Sequence, residues 1–327
     1  MKERLVRLIE AMMAGNVRAL ARLISFVEDR QEGWKDAMKS IYGSTGHACV
    51  FGITGSPGAG KSTLTNEIAK RLLRREHTIG IIAVDPSSPY SGGALLGDRL
   101  RMRDICTDRN IFIRSMATRG VLGGLCQAAR DVARILDAAG KDVILIETVG
   151  VGQDEIEVVS ASDYVMLVTC PGQGDGIQAI KAGVMEIADL FVVNKADKDG
   201  ADELASEISA MLDLSTELEV KKQSVIKTSA VTKEGLDDLV KNLEGFLNEK
   251  KSGSKRVRDQ VRQEILSIME REIVGILREL IMSNGRLEGA LDLVMADRSD
   301  PYTVVDEMLS GYSLMEHLKK TEQGDKP

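Results

Sequence analysis

Aromatic side chains are scarce in this chain of 327 residues, which has five Phe, five Tyr and one Trp. Aliphatic side chains must therefore fill most of any interior. Cysteine is also sparse. Cys49, Cys106, Cys126 and Cys170 contain no CxxC pair, and His47, His77 and His317 form no cluster in sequence. That pattern argues against a disulfide framework or a dedicated zinc site and predicts small buried thiols. No run of about 18 apolar residues occurs, so no membrane-spanning helix is expected. The opening Met1-Lys2-Glu3-Arg4-Leu5-Val6-Arg7 interrupts with charge the apolar stretch that a secretory signal needs, which predicts a cytoplasmic protein. An excess of basic residues is missing too. With Lys plus Arg at 43 and Asp plus Glu at 50, the formal charge is −7, so a broad grip on nucleic acid phosphates is not expected. Any anion bound should sit in a local pocket.

What is present is a globular balance, 43% hydrophobic and 28% charged, in which a buried core is affordable. Residues 1–45 read as a helical extension. Leu5, Leu8, Ile9 and Met12, then Val17, Leu20, Leu23, Ile24 and Val27, recur at helical spacing with a break near Gly15-Asn16, which predicts two amphipathic helices. Residues 46–250 alternate short apolar runs with helical stretches. Strands are predicted at 49–54, 79–84, 111–114, 143–147, 164–169, 190–194 and 225–228, with helices at 61–75, 124–139, 177–188, 201–212 and 234–248. Such alternation predicts an α/β fold, a mostly parallel sheet with helices on both faces. The polar run Lys250-Lys251-Ser252-Gly253-Ser254-Lys255-Arg256 marks a boundary. In residues 251–327 a long helix follows, on which Val257, Val261, Ile265, Ile268, Glu272, Ile276 and Glu279 trace one side, and two shorter helices come after it. That stripe must dock on the main domain or on a second copy, and a homodimer is expected.

The run Gly55-Ser56-Pro57-Gly58-Ala59-Gly60-Lys61-Ser62 matches GxxxxGK[ST] and lies after a predicted strand and before a predicted helix. Glycines let the backbone curl so that successive N–H groups point at phosphate oxygens, aided by the positive end of the helix that also carries Thr63. Lys61 is expected to reach the β and γ phosphates. The Ser62 hydroxyl is expected to ligate magnesium.

A phosphate loop does not select the base. Asn194-Lys195-Ala196-Asp197 places an NKxD motif at the end of a predicted strand. An ionised Asp only accepts hydrogen bonds, so Asp197 suits the N1–H and exocyclic amine of guanine, donors that adenine does not offer there. Thr228-Ser229-Ala230, after the next strand, suits a loop whose main-chain N–H groups back the guanine O6. GTP and GDP are the expected ligands.

The central strand ends Glu147-Thr148-Val149-Gly150, an ExxG rather than the DxxG of small GTPases. Glu147 can orient magnesium or its water, and Gly150 can offer its N–H to the γ phosphate. Asp85, and Asp98 in Gly97-Asp98-Arg99, supply further hard oxygen ligands of the kind that magnesium prefers.

Together, Val84-Asp85-Pro86-Ser87-Ser88-Pro89, Gly97-Asp98-Arg99, Glu147-Thr148-Val149-Gly150-Val151-Gly152-Gln153 and Asn194-Lys195-Ala196-Asp197 closely resemble the MeaB/ArgK family of GTPases. Members of that family are chaperones of adenosylcobalamin-dependent acyl-CoA mutases such as methylmalonyl-CoA mutase. The resemblance covers nearly the whole chain. It implies a P-loop NTPase fold, Ser62, Asp85, Asp98 and Glu147 around magnesium, Asn194 and Asp197 at guanine, and a mutase as partner. Cobalamin itself is expected on the mutase and not on this chain. The resemblance also implies an extra switch at 170–181, with Asp175, Gln178 and Lys181. Asp154 stands where the family commonly has Ser, and Gly176 where it commonly has Glu.

Hydrolysis of GTP needs an in-line water, magnesium and positive charge on the transferring phosphoryl group. Val151 follows Gly150 where a water-orienting Gln would sit, so slow intrinsic turnover is expected, raised by a partner; Arg99 and Arg101 are in-chain sources of charge. Three readings compete. A nickel-delivery GTPase would carry His or Cys ligands near its switches, a transport-protein kinase would transfer phosphate from ATP, and a pure binding protein would hold nucleotide without hydrolysing it.

Overall fold

The computed structural model describes residues 2–85, 104–117, 124–148, 161–172, 188–215, 223–251, 255–283 and 285–310. The expected helix at 177–188 has residues 177–187 outside them.

Two compact units divide the chain, residues 1–252 and 253–327. The first is built on a seven-stranded sheet, every described pairing of which is parallel. Its strands are β1 (Cys49–Thr54), β2 (Ile79–Asp85), β3 (Ile111–Ala117), β4 (Val143–Thr148), β5 (Tyr164–Thr169), β6 (Leu190–Asn194) and β7 (Ser224–Thr228), in the order β3-β2-β4-β1-β5-β6-β7. β4 and β5 are buried along their whole length, as strands covered on both faces must be. Side chains alternate between faces, which sends Phe51, Ile53, Leu145, Met166 and Val192 to one core and Ile82, Val84, Ile144 and Ile146 to another.

Helices cover both faces. The first core includes residues of α4 (Lys61–Arg74) and α7 (Leu236–Lys251). Over the second core pack α5 (Gly124–Ala138) and three N-terminal helices, α1 (Lys2–Met13), α2 (Val17–Glu28) and α3 (Trp34–Ile41). A third cluster joins β5 and β6 to α6 (Ala201–Ser215) through Leu167, Phe191, Leu204 and Ile208. The N-terminal helices are pinned by charge as well. Arg114 on β3 pairs with Glu28 on α2, and Arg30 pairs with Asp131 on α5 at 2.7 Å. Asp137 accepts the N–H groups of Gly46 at 2.6 Å and Ala48 at 2.8 Å, fixing the entry to β1.

Several boundaries differ from the sequence expectation. Three N-terminal helices form where two were expected. Gly33, at φ +90°, turns the chain so that Trp34 can open α3, whose Ala37 and Ile41 are buried. β3 runs on to Ala117 because each added residue gains a ladder partner on β2, up to Asp85 opposite Ala117. α7 begins at Leu236 and not at 234, since Gly235 sits at φ +67°, outside helical geometry. Cys49 and Cys170 are buried, but Cys106 is exposed in the turn ahead of β3, against the expectation of buried thiols.

The second unit holds α8 (Lys255–Ser283), α9 (Arg286–Met295) and α10 (Pro301–Ser310), with α9 packed against both α8 and α10. Ile265, Ile268 and Ile276, expected to dock, lie exposed on α8. Among the described residues no helix is long and apolar enough to cross a membrane.

Candidate functional site

Four strand ends meet along one edge of the sheet and carry the motif residues there. β1 runs into Gly55, β4 carries Glu147 near its end, β6 ends in Asn194, and β7 ends in Thr228 before Ser229. In an open parallel sheet this carboxyl edge is where ligands bind, beside the strand at which the order reverses. β1 is that strand, lying between β4 and β5 with later strands added on both sides.

The loop 55–60 is shaped by backbone proximity. Gly55 has φ +137°, and a Cβ placed on it would lie 1.8 Å from the Val168 carbonyl oxygen, so the loop presses directly on the β5 backbone. Gly60, at φ +92°, caps α4. Lys61 is buried and its Nζ donates to the carbonyl of Gly55 at 2.5 Å and that of Ser56 at 3.1 Å. Its ammonium is thereby folded over the loop. Pro57, Gly58 and Thr63 are exposed, whereas Ala59 is buried.

In the first turn of α4, the Ser62 hydroxyl donates to Glu147 Oε1. A hydroxyl and a carboxylate in contact at the positive end of a helix form a hard oxygen set that fits magnesium. Glu147 is 5% exposed, so its carboxylate is held in a fixed direction. Asp85 closes β2, but its side chain lies outside the described residues, as do Asp98, Gly150, the arginines Arg99 and Arg101, and the switch candidates Asp175, Gln178 and Lys181.

The base motif lies against the phosphate loop. The Asn194 side chain donates to the Ala59 carbonyl at 2.8 Å and accepts from Thr228 Oγ1 at 3.3 Å. Lys195, at φ +60°, extends its Nζ to the Gly58 carbonyl at 2.7 Å. Ser229 Oγ donates to Asp197 Oδ1 at 2.5 Å while accepting the Thr232 N–H at 3.1 Å. The Ser229 hydrogen bond is the main cause holding the exposed Asp197 carboxyl below its ordinary pKa. An acceptor-only carboxylate is thus tied to Ser229, whose neighbour in the chain, Ala230, is buried.

Three neighbours of this cluster escaped the sequence reading: Glu67, Arg71 and Lys233. Glu67 sits on α4 as an ordinary polar helix position, and Lys233 directly precedes the helix predicted at 234–248, with no motif to mark it. Only their meeting in space gives them a role. Lys233 Nζ lies 2.9 Å from Glu67 Oε1, and Arg71 lies 2.9 Å from Glu67 Oε2. Among the described residues no group of three His, Cys, Asp or Glu side chains comes together as a metal cluster.

A parallel sheet with a glycine-rich phosphate loop at its reversal point and an NKxD strand end bonded to that loop defines a P-loop GTPase. The chain belongs to the MeaB family: the family model described as methylmalonyl-CoA mutase-associated GTPase MeaB matches residues 20–280. A protein of Pyrococcus horikoshii named as a GTPase is 46% identical over 92% of this chain and 96% of its own. The GTPase ArgK of Escherichia coli is 38% identical over 71% of this chain and 72% of its own. The mouse mitochondrial homologue of the methylmalonic aciduria type A protein is 41% identical over 60% of this chain and 48% of its own. A solved structure described as an LAO/AO transport system kinase superposes with a TM-score of 0.70 at 25% identity, covering 95% of this chain and 98% of that one.

Proposed function

We propose that this GTPase is a nucleotide-controlled chaperone that assists the loading and protection of adenosylcobalamin in an acyl-CoA mutase such as methylmalonyl-CoA mutase. The observation that carries the nucleotide half is the Asn194 amide bonded to the Ala59 carbonyl at 2.8 Å, which ties the NKxD strand end to the glycine-rich loop. The mutase half rests on the description of the family that the chain belongs to, and on the mouse relative's name.

In this reading the N–H groups of Gly55, Ser56, Gly58, Ala59, Gly60, Lys61, Ser62 and Thr63 surround the phosphates, with Pro57 stiffening the loop. Lys61 turns its ammonium from the loop carbonyls to the β and γ phosphate oxygens. Asn194 and Lys195 hold the loop to the base motif, Asp197 takes the guanine N1–H and amine, and Ala230 offers its N–H to O6 beside Ser229. Ser62 and Glu147, joined by Asp85 and Asp98, are the residues to hold Mg2+, which would neutralise charge on the phosphates when bound. Gly150 would meet the γ phosphate, and Asp175, Gln178 and Lys181 would carry the GTP or GDP state to the partner. A ligand shifts conformation only by its differential affinity, so these switches must contact the mutase differently in the two states.

Residues 1–45 would buttress the nucleotide domain 46–250, and residues 251–327 would form a homodimer in which a second copy covers Ile265, Ile268 and Ile276. Cobalamin would stay on the mutase, and the protein would act in the cytoplasm. The test is GTP turnover with and without a cognate mutase. Acceleration supports the proposal, and equal rates sink partner activation. Transfer of radiolabel from ATP to an acceptor would favour a kinase instead.

A further inference from the structure

We infer that Lys233 is a positioning residue for guanine specificity, setting the two peptide groups on either side of Ala230 and anchoring them to the phosphate-loop helix through Glu67. The inference rests on the guanine reading proposed above.

The Ser229 carbonyl accepts the Lys233 backbone N–H at 2.8 Å. In a planar trans peptide the next N–H, that of Ala230, then points the opposite way, away from Lys233. The Lys233 Nζ donates to the Ala230 carbonyl at 2.8 Å and thereby fixes the following peptide. One residue thus orients both peptides, by its main chain and by its side chain. The same Nζ lies 2.9 Å from Glu67 Oε1. Glu67 stands six positions after Lys61 on α4, so the loop that would read O6 is fastened to the helix whose N-terminus would hold the phosphates.

Lys233 adopts φ +70°, a left-handed conformation that strains a residue carrying a Cβ. A glycine would remove that strain but also the ammonium. Glu67 is firmly placed to receive it: its side chain is 8% exposed and also takes Arg71 at 2.9 Å and Lys70 at 3.3 Å. Arg71 in turn pairs with Asp237 on α7 at 3.0 Å. The anchor is therefore a network and not one surface pair. Lys233 itself is 49% exposed, which limits the expected effect to that of a single hydrogen bond.

Competition binding on the full chain tests this with GDP, with 6-thio-GDP, which replaces O6 by a weaker acceptor, and with IDP, which lacks the amine. Lys233→Met keeps the main-chain bond to Ser229 and removes the side-chain bond that holds the far side of Ala230, so the Ala230 N–H loses half of its anchoring. The preference for GDP over 6-thio-GDP is expected to fall about three- to ten-fold, up to the worth of one hydrogen bond, while the preference for GDP over IDP stays unchanged. Glu67→Gln, which keeps an acceptor and loses the charge, should give a smaller fall, and it carries the test if Lys233→Met does not fold. An equal loss for all three nucleotides would mark a merely structural role and overturn the inference, as would an unchanged GDP to 6-thio-GDP ratio in both variants. Equal binding of GDP and ADP by the unaltered protein would instead sink the guanine reading itself.

Discussion

The side-chain amide of Asn194 donates to the main-chain carbonyl of Ala59 at 2.8 Å, although 135 residues separate them in the chain. The bond fastens the end of β6 to the loop after β1. A Cβ on Gly60 would come within 2.5 Å of that same amide nitrogen. Base motif and phosphate loop are therefore one mechanical piece, and changes at either end are expected at the other.

Gly60→Ala tests this coupling. The alanine would have to hold φ +92° and push aside an Asn194 side chain that is pinned at both ends, by Ala59 and by Thr228. Backbone strain alone destabilises by about 1–2 kcal/mol. Urea unfolding should show at least that loss, and nucleotide titration should show weakened GTP binding. Unchanged affinity would mean that loop and strand are not coupled.

Asp197→Asn should lower the preference for GTP over ATP by about two orders of magnitude or more, because an amide cannot accept both guanine protons and sets its own NH2 donor against one of them. Ser229→Ala acts on the same carboxylate through its pKa. The Ser229 hydrogen bond holds that pKa down, so guanine preference is present above the ordinary aspartate range and is lost only as pH falls through the lowered value. Without Ser229 the loss should begin at higher pH. A binding series from neutral to acid pH in both proteins measures the difference.

Lys61→Met should reduce GTP hydrolysis by about two orders of magnitude or more, since it removes the charge facing the phosphoryl group. Chelation of magnesium should abolish hydrolysis in the unaltered protein. Phosphate release reads both. Full activity in excess chelator would remove Ser62 and Glu147 from the metal-binding role assigned to them.

Acid stability should report on Glu67. Burial raises its pKa, but hydrogen bonds from Lys233, Arg71 and Lys70 outweigh burial and leave it below the ordinary glutamate value. A depressed carboxylate contributes stability that is fully present above its unfolded pKa and is lost as pH falls through the folded one. Asp104 on Lys70 and Asp237 on Arg71 belong to the same charge network. Glu67→Gln should therefore be less stable than the parent at neutral pH, and the gap should close in acid. Thermal midpoints across that pH range measure it.

Strand order was not legible from the sequence, because a run such as Val143–Thr148 declares itself buried without naming its neighbours. Its place beside β1 and β2 comes from packing both faces against helices. The predicted spans of β1, β5 and β6 agree with the fold residue for residue, since each is a short apolar run bounded by a turn. α3 is not legible in the apolar spacing because it has only eight residues, of which Ala37 and Ile41 are buried, and because its start depends on the left-handed Gly33. At the site, the phosphate loop and NKxD were visible because their chemistry is local: spaced glycines, one lysine, one carboxylate.

The amino-acid order by itself determined which groups could meet a nucleotide, because glycine at 55 and 60, the ammonium at 61 and the carboxylate at 197 have properties that no fold can supply. Only the tertiary structure decided that they meet. Parallel strands joined by crossover helices bring their carboxyl ends to one edge, and there Asn194 reaches Ala59 and Lys233 reaches Glu67. Those contacts join residues far apart in the chain, and their distances are set by sheet packing that no local pattern encodes.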